Sequence, residues 1–242
     1  MQVVCEPQPF DTEQLGAVVV RLRVTGSDEE QFARALRQYV DTWRADGVWL
    51  ASCRIPAVEA ALAGILAEHG FRQVETLITF NRRIAPISLI DRIAVSPATP
   101  EDIPACMEIG RAEFQHDRYH ADPEIDLRLA DQLKAQWVKN SMLGRADKVF
   151  VTRDDAGPSG FLLCNRADDE AVIDLIAVAT RSRGKGLGLA MVSAALQSYT
   201  GIATTMTVGT QADNQASLAL YRRCGFAQAA QSITFHWINR CQ

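Results

Sequence analysis

The residues that most directly invite chemistry are Arg183-Gly184-Lys185-Gly186-Leu187-Gly188, three glycines and two cations within six positions. An apolar run, Val172 to Val178, leads into them, and an apolar stretch with helical spacing leads away. A glycine-rich turn that opens a helix leaves several backbone N–H groups without acceptors and aims them at one point. The positive end of the helix dipole, with Arg183 and Lys185 beside it, makes that point attractive to an anion such as a pyrophosphate. Two common phosphate patterns do not fit. A P-loop needs Ser or Thr after its lysine, and Gly186 follows Lys185. The dinucleotide fingerprint needs a small residue where Leu189 or Met191 stands. A third spacing is met: Arg or Gln, two residues, Gly, one residue, then Gly or Ala, at Arg183, Gly186 and Gly188.

A second constellation lies downstream, Asn214-Gln-Ala-Ser-Leu-Ala-Leu-Tyr221 followed by Gly225-Phe226. The two motifs, in this order, resemble the GCN5-related N-acetyltransferase superfamily over roughly residues 92–242. That resemblance implies acetyl-CoA as cosubstrate, no metal, and direct attack of a primary amine on the thioester. It implies that the strands around Ala171–Val178 and Thr204–Thr210 splay apart, and that the pantetheine arm pairs with the backbone of Leu175, Ile176, Ala177 and Val178 as an added strand would. The loop from Arg183 through Leu187 and Gly188 to Leu189 would then hold the pyrophosphate. The departing thiol titrates near ~8.5 if it behaves like free cysteine, so a modest proton donor helps. Tyr221 matches the superfamily's general-acid position. Asn214 suits either a contact to the cofactor or an N-cap for the helix that follows it. For the base, Asp174 is the candidate, since some members carry a carboxylate there; an exposed position on an alternating strand explains it equally well. His116 and His120 are weaker candidates, and a free amine also loses its proton to water.

The acceptor side reads from Glu113-Phe-Gln-His-Asp-Arg-Tyr-His120 onward and from Gln136-Trp137. This stretch resembles the dTDP-fucosamine (dTDP-4-amino-4,6-dideoxygalactose) N-acetyltransferase group, which acetylates a nucleotide-linked amino sugar. Arg118, Tyr119, His120 and Trp137 would supply a cation, hydrogen bonds and an aromatic surface. An Asp117–Arg118 surface pair and a core Trp137 are the alternative. Leu133 and Leu220 depart from that group's pattern, where an aromatic and a basic residue are expected. Acetylation of another small amine or a protein N-terminus, or a non-catalytic acyl-CoA sensor, are the competing functions.

Strands and helices alternate along the chain, so the expected fold is α/β with a mixed sheet. A helix is expected over Asp28–Asp46, a strand over Val48–Cys53, a helix from Ala57 to His69, and one or two strands over Phe71–Arg83. In the second half the expected order is a strand at Ile93–Val95 and a helix capped by Thr99 with Pro100 in its first turn. A helix over Leu127–Ser141, a hairpin across Asp154–Pro158, and the strand–loop–helix–strand–helix–strand run to Ile238 complete it. Ile84–Ile90 reads as a linker or a first edge strand. Gly70-Phe71 with Ile78-Thr79-Phe80 recurs as Gly225-Phe226 with Ile233-Thr234-Phe235, both at an offset of 155 residues. Residues 1–88 are therefore expected to be a partial copy of the acetyltransferase fold, and 89–242 the catalytic domain.

The 242 residues carry a net charge of -4, with 48% hydrophobic side chains, so there is no basic field for nucleic acid. No apolar run is long enough to span a membrane. The six scattered cysteines have no metal-like spacing and read as buried free thiols. A cytoplasmic enzyme, with a homodimer as its assembly, is the expectation.

Overall fold

The computed structural model describes residues 2–26, 28–85 and 93–240. In chain order the elements are β1 (Gln2–Pro7), α1 (Pro9–Leu15), β2 (Val18–Thr25), α2 (Glu29–Ala45), β3 (Val48–Pro56), α3 (Ala60–Glu68) and β4 (Arg72–Arg83). There follow β5 (Val95–Pro97), α4 (Ile103–Glu113), α5 (Leu127–Asn140), β6 (Lys148–Asp154), β7 (Gly157–Ala167) and β8 (Glu170–Val178). The chain ends with α6 (Leu187–Ser198), β9 (Thr205–Gln211), α7 (Gln215–Arg223) and β10 (Ala227–Ile238). This is the mixed α/β fold expected from the alternation of elements. Two elements at the start, β1 and α1, were not anticipated, and the first strand of the second half sits two residues later, at Val95–Pro97. The expected linker 84–90 lies largely outside the described residues, as does a domain cut at 88.

Two compact units emerge, neither of them a single span of chain. Unit 1 comprises Met1–Leu77, Asp117–Ile125 and Ala230–Gln242; unit 2 comprises Ile78–His116 and Asp126–Ala229. In unit 1 the strand order is β1-β2-β3-β10-β4. β1 and β2 are antiparallel, β2 and β3 parallel, and β3 and β10 antiparallel. Alternation sorts the side chains. Val20 and Leu22 of β2, Cys53 and Ile55 of β3, and Phe235 and Trp237 of β10 form one face. They pack against Phe32, Leu36, Val40 and Trp43 of α2 and Leu62 and Leu66 of α3. α2 forms where expected because Asp28 caps it, accepting from the Gln31 N–H at 2.9 Å.

In unit 2 the order is β4-β9-β8-β7-β6-β5, with β8 and β9 the parallel pair. Both faces of this sheet are covered. Met191, Val192, Ala195 and Leu196 of α6, with Leu218 and Tyr221 of α7, pack on one side. Cys106 and Ile109 of α4 and Val138 of α5 pack on the other. Thr99 is the N-cap, with Pro100 after it, as expected, and it forms a capping box with Asp102. Asp102 accepts from the Thr99 N–H at 2.7 Å, around a 3₁₀ turn at Pro100–Asp102 that precedes α4.

β8 does not alternate uniformly. Cys164 of β7 opposes Ile173 while its neighbour Leu163 opposes Leu175, so Asp174 is an extra residue, a β-bulge. The bulge reverses the strand's phase. Ala171 and Ile173 before it, and Ile176 and Val178 after it, pack on the α6 side. Leu175 and Ala177 pack with α4 and α5.

Candidate active site

The parallel pairing of β8 with β9 stops early. It runs from Glu170↔Thr205 to Ile173↔Val208 and no further. Beyond that point Leu175–Val178 pair only with β7, which leaves their other edge without strand partners among the described residues. An open edge of this kind offers backbone donors and acceptors to an extended ligand. The opening lies immediately after the bulge and immediately before the glycine loop, all within one stretch of sequence.

At the loop, Gly186 is the N-cap of α6 with φ 83°, a left-handed conformation that a side chain would strain. It offers no side-chain cap, and Ala190 is the first residue whose N–H reaches back to the Gly186 carbonyl, at 3.1 Å. The N–H groups of Gly184, Lys185 and Gly186 have no backbone acceptor, and those of Leu187, Gly188 and Leu189 are the orphans of the first helical turn. Gly188 is tight against α7: a Cβ there would sit 3.1 Å from the Leu220 side chain. The loop is braced from outside its own sequence. Glu113, at the end of α4, accepts from the Thr180 N–H at 2.7 Å and the Thr180 hydroxyl at 3.0 Å, and pairs with Arg183. Asp154 accepts from the Ser182 hydroxyl at 2.8 Å and pairs with Arg181 at 3.2 Å. Glu113 and Asp154 were not among the residues singled out from sequence; neither lies near the loop in the chain, and no local pattern marks them. Lys185 is exposed and has no ion-pair partner among the described residues. The unpaired N–H groups, the uncapped helix end and the free cation fit a pyrophosphate.

Tyr221 is buried on α7, its ring 6.1 Å from that of Phe80 and 5.9 Å from that of Phe226. It belongs to the same apolar cluster as Ile173 and Val208, the last paired residues before the strands part. Its hydroxyl has no hydrogen-bond partner among the described residues. Burial pushes the phenol's pKa up, so the oxygen keeps its proton at neutral pH. Asn214 is the N-cap of α7, accepting from the Ser217 N–H at 3.1 Å.

Asp174 and Trp137, assigned from sequence to different tasks, are brought together. The Trp137 indole N–H donates to the Asp174 carboxylate at 2.8 Å. Arg145 stacks over the same indole, 4.8 Å from its centroid. The other acceptor-side residues fall in unit 1. Tyr119 is buried, its hydroxyl donating to Asp11 and accepting from Arg118 at 2.8 Å. Arg118 also pairs with Asp11 at 3.3 Å, and the His120 Nδ1 lies 2.6 Å from Asp117. His116 stays in unit 2, exposed, 3.2 Å from Asp213. Of the cysteines, Cys53, Cys106, Cys164 and Cys224 are buried free thiols and Cys5 is half-buried. Among the described residues no group of acidic, His or Cys side chains could hold a metal, and no helix is long and apolar enough to cross a membrane.

An opened parallel pair, a glycine-rich helix start beside it with the backbone for a pyrophosphate, and a buried tyrosine behind it are the frame of an acyl-CoA-dependent transferase. The sequence matches the Acetyltransferase (GNAT) family over residues 105–226, and the chain belongs to that family: it is an acetyl-CoA-dependent N-acetyltransferase. It is 32% identical over 240 residues to the spore coat polysaccharide biosynthesis protein SpsD of Bacillus subtilis (strain 168), covering 96% of this chain and 82% of that one. Solved structures agree on the fold. A GCN5-related N-acetyltransferase from Sphaerobacter thermophilus aligns with a TM-score of 0.69 at 15% identity, over 98% of this chain and 76% of that one. A tandem GNAT protein from the clavulanic acid biosynthesis pathway aligns with a TM-score of 0.62 at 14% identity, over 92% and 76%.

Proposed function

We propose that the protein acetylates the amino group of an amino sugar, carried on a nucleotide, with Tyr221 as general acid and Asp174 as general base. The observation that carries the reading is the opening of β8 from β9 at Ile173↔Val208, flanked by a bulged carboxylate and the glycine loop. Acetyl-CoA supplies the thioester. Gly184 to Leu189 and the cations Arg183 and Lys185 hold its pyrophosphate, and the free backbone edge of Ile176, Ala177 and Val178 orients the arm. Asn214 fixes the start of α7 and so the placement of Tyr221. Asp174 takes a proton from the incoming ammonium, and the Trp137 indole N–H holds that carboxylate in one orientation. The Tyr221 hydroxyl gives a proton to the departing sulfur. A sugar acceptor is supported by the relative from spore coat polysaccharide biosynthesis, a pathway built on sugars by its name.

The test is a coupled thiol-release assay against amino-sugar nucleotides, free amino sugars, polyamines and peptides. Turnover with an amino-sugar nucleotide exceeding that with every other class by at least about tenfold is expected, since an unmatched polar site costs more than one decade in kcat/KM. Preference for polyamines or peptides would remove the sugar assignment and leave the transfer chemistry standing.

A further inference from the structure

Unit 1 contains a cavity of ≈ 470 Å³ on the polar face of its sheet, opposite α2 and α3. It lies at the carboxyl ends of the parallel strands β2 and β3, where their pairing has stopped at Leu22↔Cys53. The offset of 155 residues carries Cys53 onto Val208, the residue at which β9 parts from β8. The copy thus keeps an opening at the place where unit 2 has its own. Crevices beyond the carboxyl ends of parallel strands are where open α/β sheets hold ligands. The volume falls within the range of small-molecule sites.

Its charge is one-sided. Arg21, Arg23, Arg54 and Arg118 line it, with no acidic residue among the lining, in a chain whose net charge is -4. Arg23, Arg54 and Arg118 lean on Glu6, Glu75 and Asp11 outside the lining. The Arg21 guanidinium has no partner among the described residues. The Arg118 Nε is buried without a hydrogen-bond acceptor. Burial first, and then repulsion from Arg118, lower the pKa of both Arg21 and Arg54. At Arg118 burial works the same way, but Tyr119, Asp11 and Glu75 outweigh it and raise the pKa, so Arg21, which no ion pair neutralises among the described residues, is the guanidinium that a polyvalent anion relieves. Between them stand Ser52, which opposes Arg21 and whose hydroxyl donates to the Val20 carbonyl at 3.5 Å, and Thr234, which opposes Arg54, accepts from its Nε at 2.8 Å and donates to Glu75 at 2.9 Å.

We propose that this cavity is a second ligand site, for the phosphoryl or pyrophosphoryl group of a small metabolite. It is separate from acetyl transfer: it uses no residue of the glycine loop, and its forked cations match tetrahedral oxyanions rather than an acyl chain. Coenzyme A is a poor occupant, because the N-cap and first turn of α2 carry Asp28, Glu29 and Glu30 where α6 carries its glycines.

The experiment is calorimetric titration of inorganic pyrophosphate into the full-length protein saturated with coenzyme A, at fixed ionic strength. One equivalent should bind to the wild type. Arg21→Gln should weaken binding about tenfold and Arg21→Glu should abolish it, because Arg21 is the unneutralised charge. Arg23→Gln, which loses only an exposed pair, serves if the Arg21 variants do not fold, and should also weaken binding. Gly186→Glu should bind pyrophosphate as the wild type does. No binding to the wild type, unchanged binding to Arg21→Glu, or loss in Gly186→Glu would overturn the proposal. So would citrate displacing pyrophosphate at equal concentration, since charge alone would then be read. A nucleoside diphosphate competing more tightly than pyrophosphate would extend the assignment to a nucleotide-bearing ligand.

Discussion

The two units end one of their helices in the same way and do different things with it. In unit 1 the Phe71 N–H donates to the Leu66 carbonyl at 3.0 Å; in unit 2 the Phe226 N–H donates to the Tyr221 carbonyl, also at 3.0 Å. Gly70 and Gly225 precede these phenylalanines, and the offset of 155 carries all of α3 onto α7. At matched positions Leu66 stands for Tyr221 and Glu59 for Asn214, and at the matching helix starts the N-cap Asp28 stands for the N-cap Gly186. Leu66 is wholly buried in the apolar core of its unit. The frame of strand, helix and glycine turn is therefore set by packing and backbone geometry, which survive in both copies. The chemistry resides in a few substitutable positions laid over that frame.

The sharpest break in this comparison is Gly186→Glu. A carboxylate at a left-handed N-cap both strains the loop and repels the phosphates, so coenzyme A affinity by calorimetry should fall by at least about a hundredfold. Asp28→Asn, at the N-cap of α2, should leave that affinity unchanged. Tyr221→Phe comes next: kcat should drop by about a hundredfold, with the KM for acetyl-CoA nearly constant, as for a lost proton donor. Leu66→Ala should do the reverse. Chemical denaturation should show about 2–5 kcal/mol of lost stability, while the folded enzyme keeps its kcat. Trp137→Phe keeps the ring and loses the indole N–H. A several-fold fall in kcat with a displaced acid limb of its pH profile is expected, and an unmoved limb would separate Trp137 from the base.

The smallest effect belongs to acid stability, and to unit 1. Hydrogen bonds from Arg240, then Arg72, hold the Glu124 carboxyl down at about 2, against 4.5 for the free group. Burial lowers the pKa of His236 from 6.5, although its hydrogen bond to Asp122 works the other way. Both groups bind protons more readily in the unfolded chain, so their contribution is present at neutral pH and lost on acidification. Stability should decline first as pH falls below 6.5 and again from 4.5 towards 2. Glu124→Gln should flatten only the second decline in unfolding curves recorded across that range.

Much of this was legible before any coordinates. Asp28 and Asp46 bracket α2, and Gly70 and Gly225 stop α3 and α7, because caps and left-handed glycines are local requirements. The glycine loop was legible for the same reason. α1 was not: it has seven residues, and one of its two buried side chains is Asp11, so no apolar period exists to detect. Nor was the assignment of Asp117–Ile125 to unit 1, which rests on partners distant in sequence, such as Asp11 for Arg118 and Tyr119 and His236 for Asp122. Asp174 reads in sequence as one polar residue in an apolar run. Since β8 is covered on both faces, alternation could not reveal that it occupies a bulge.

That bulge makes the candidate base an insertion into its strand rather than a member of the strand's alternation. Replacing Asp174 by another residue alters a side chain; straightening the bulge with the residue kept would turn Leu175 to Val178 over together, whereas deleting it would leave each of them on the face it now occupies. In this part of the chain, evolution can change the reactive group one substitution at a time. It can also discard the residue whole without exchanging the contents of the two cores, because the alternation of the strand closes up behind it.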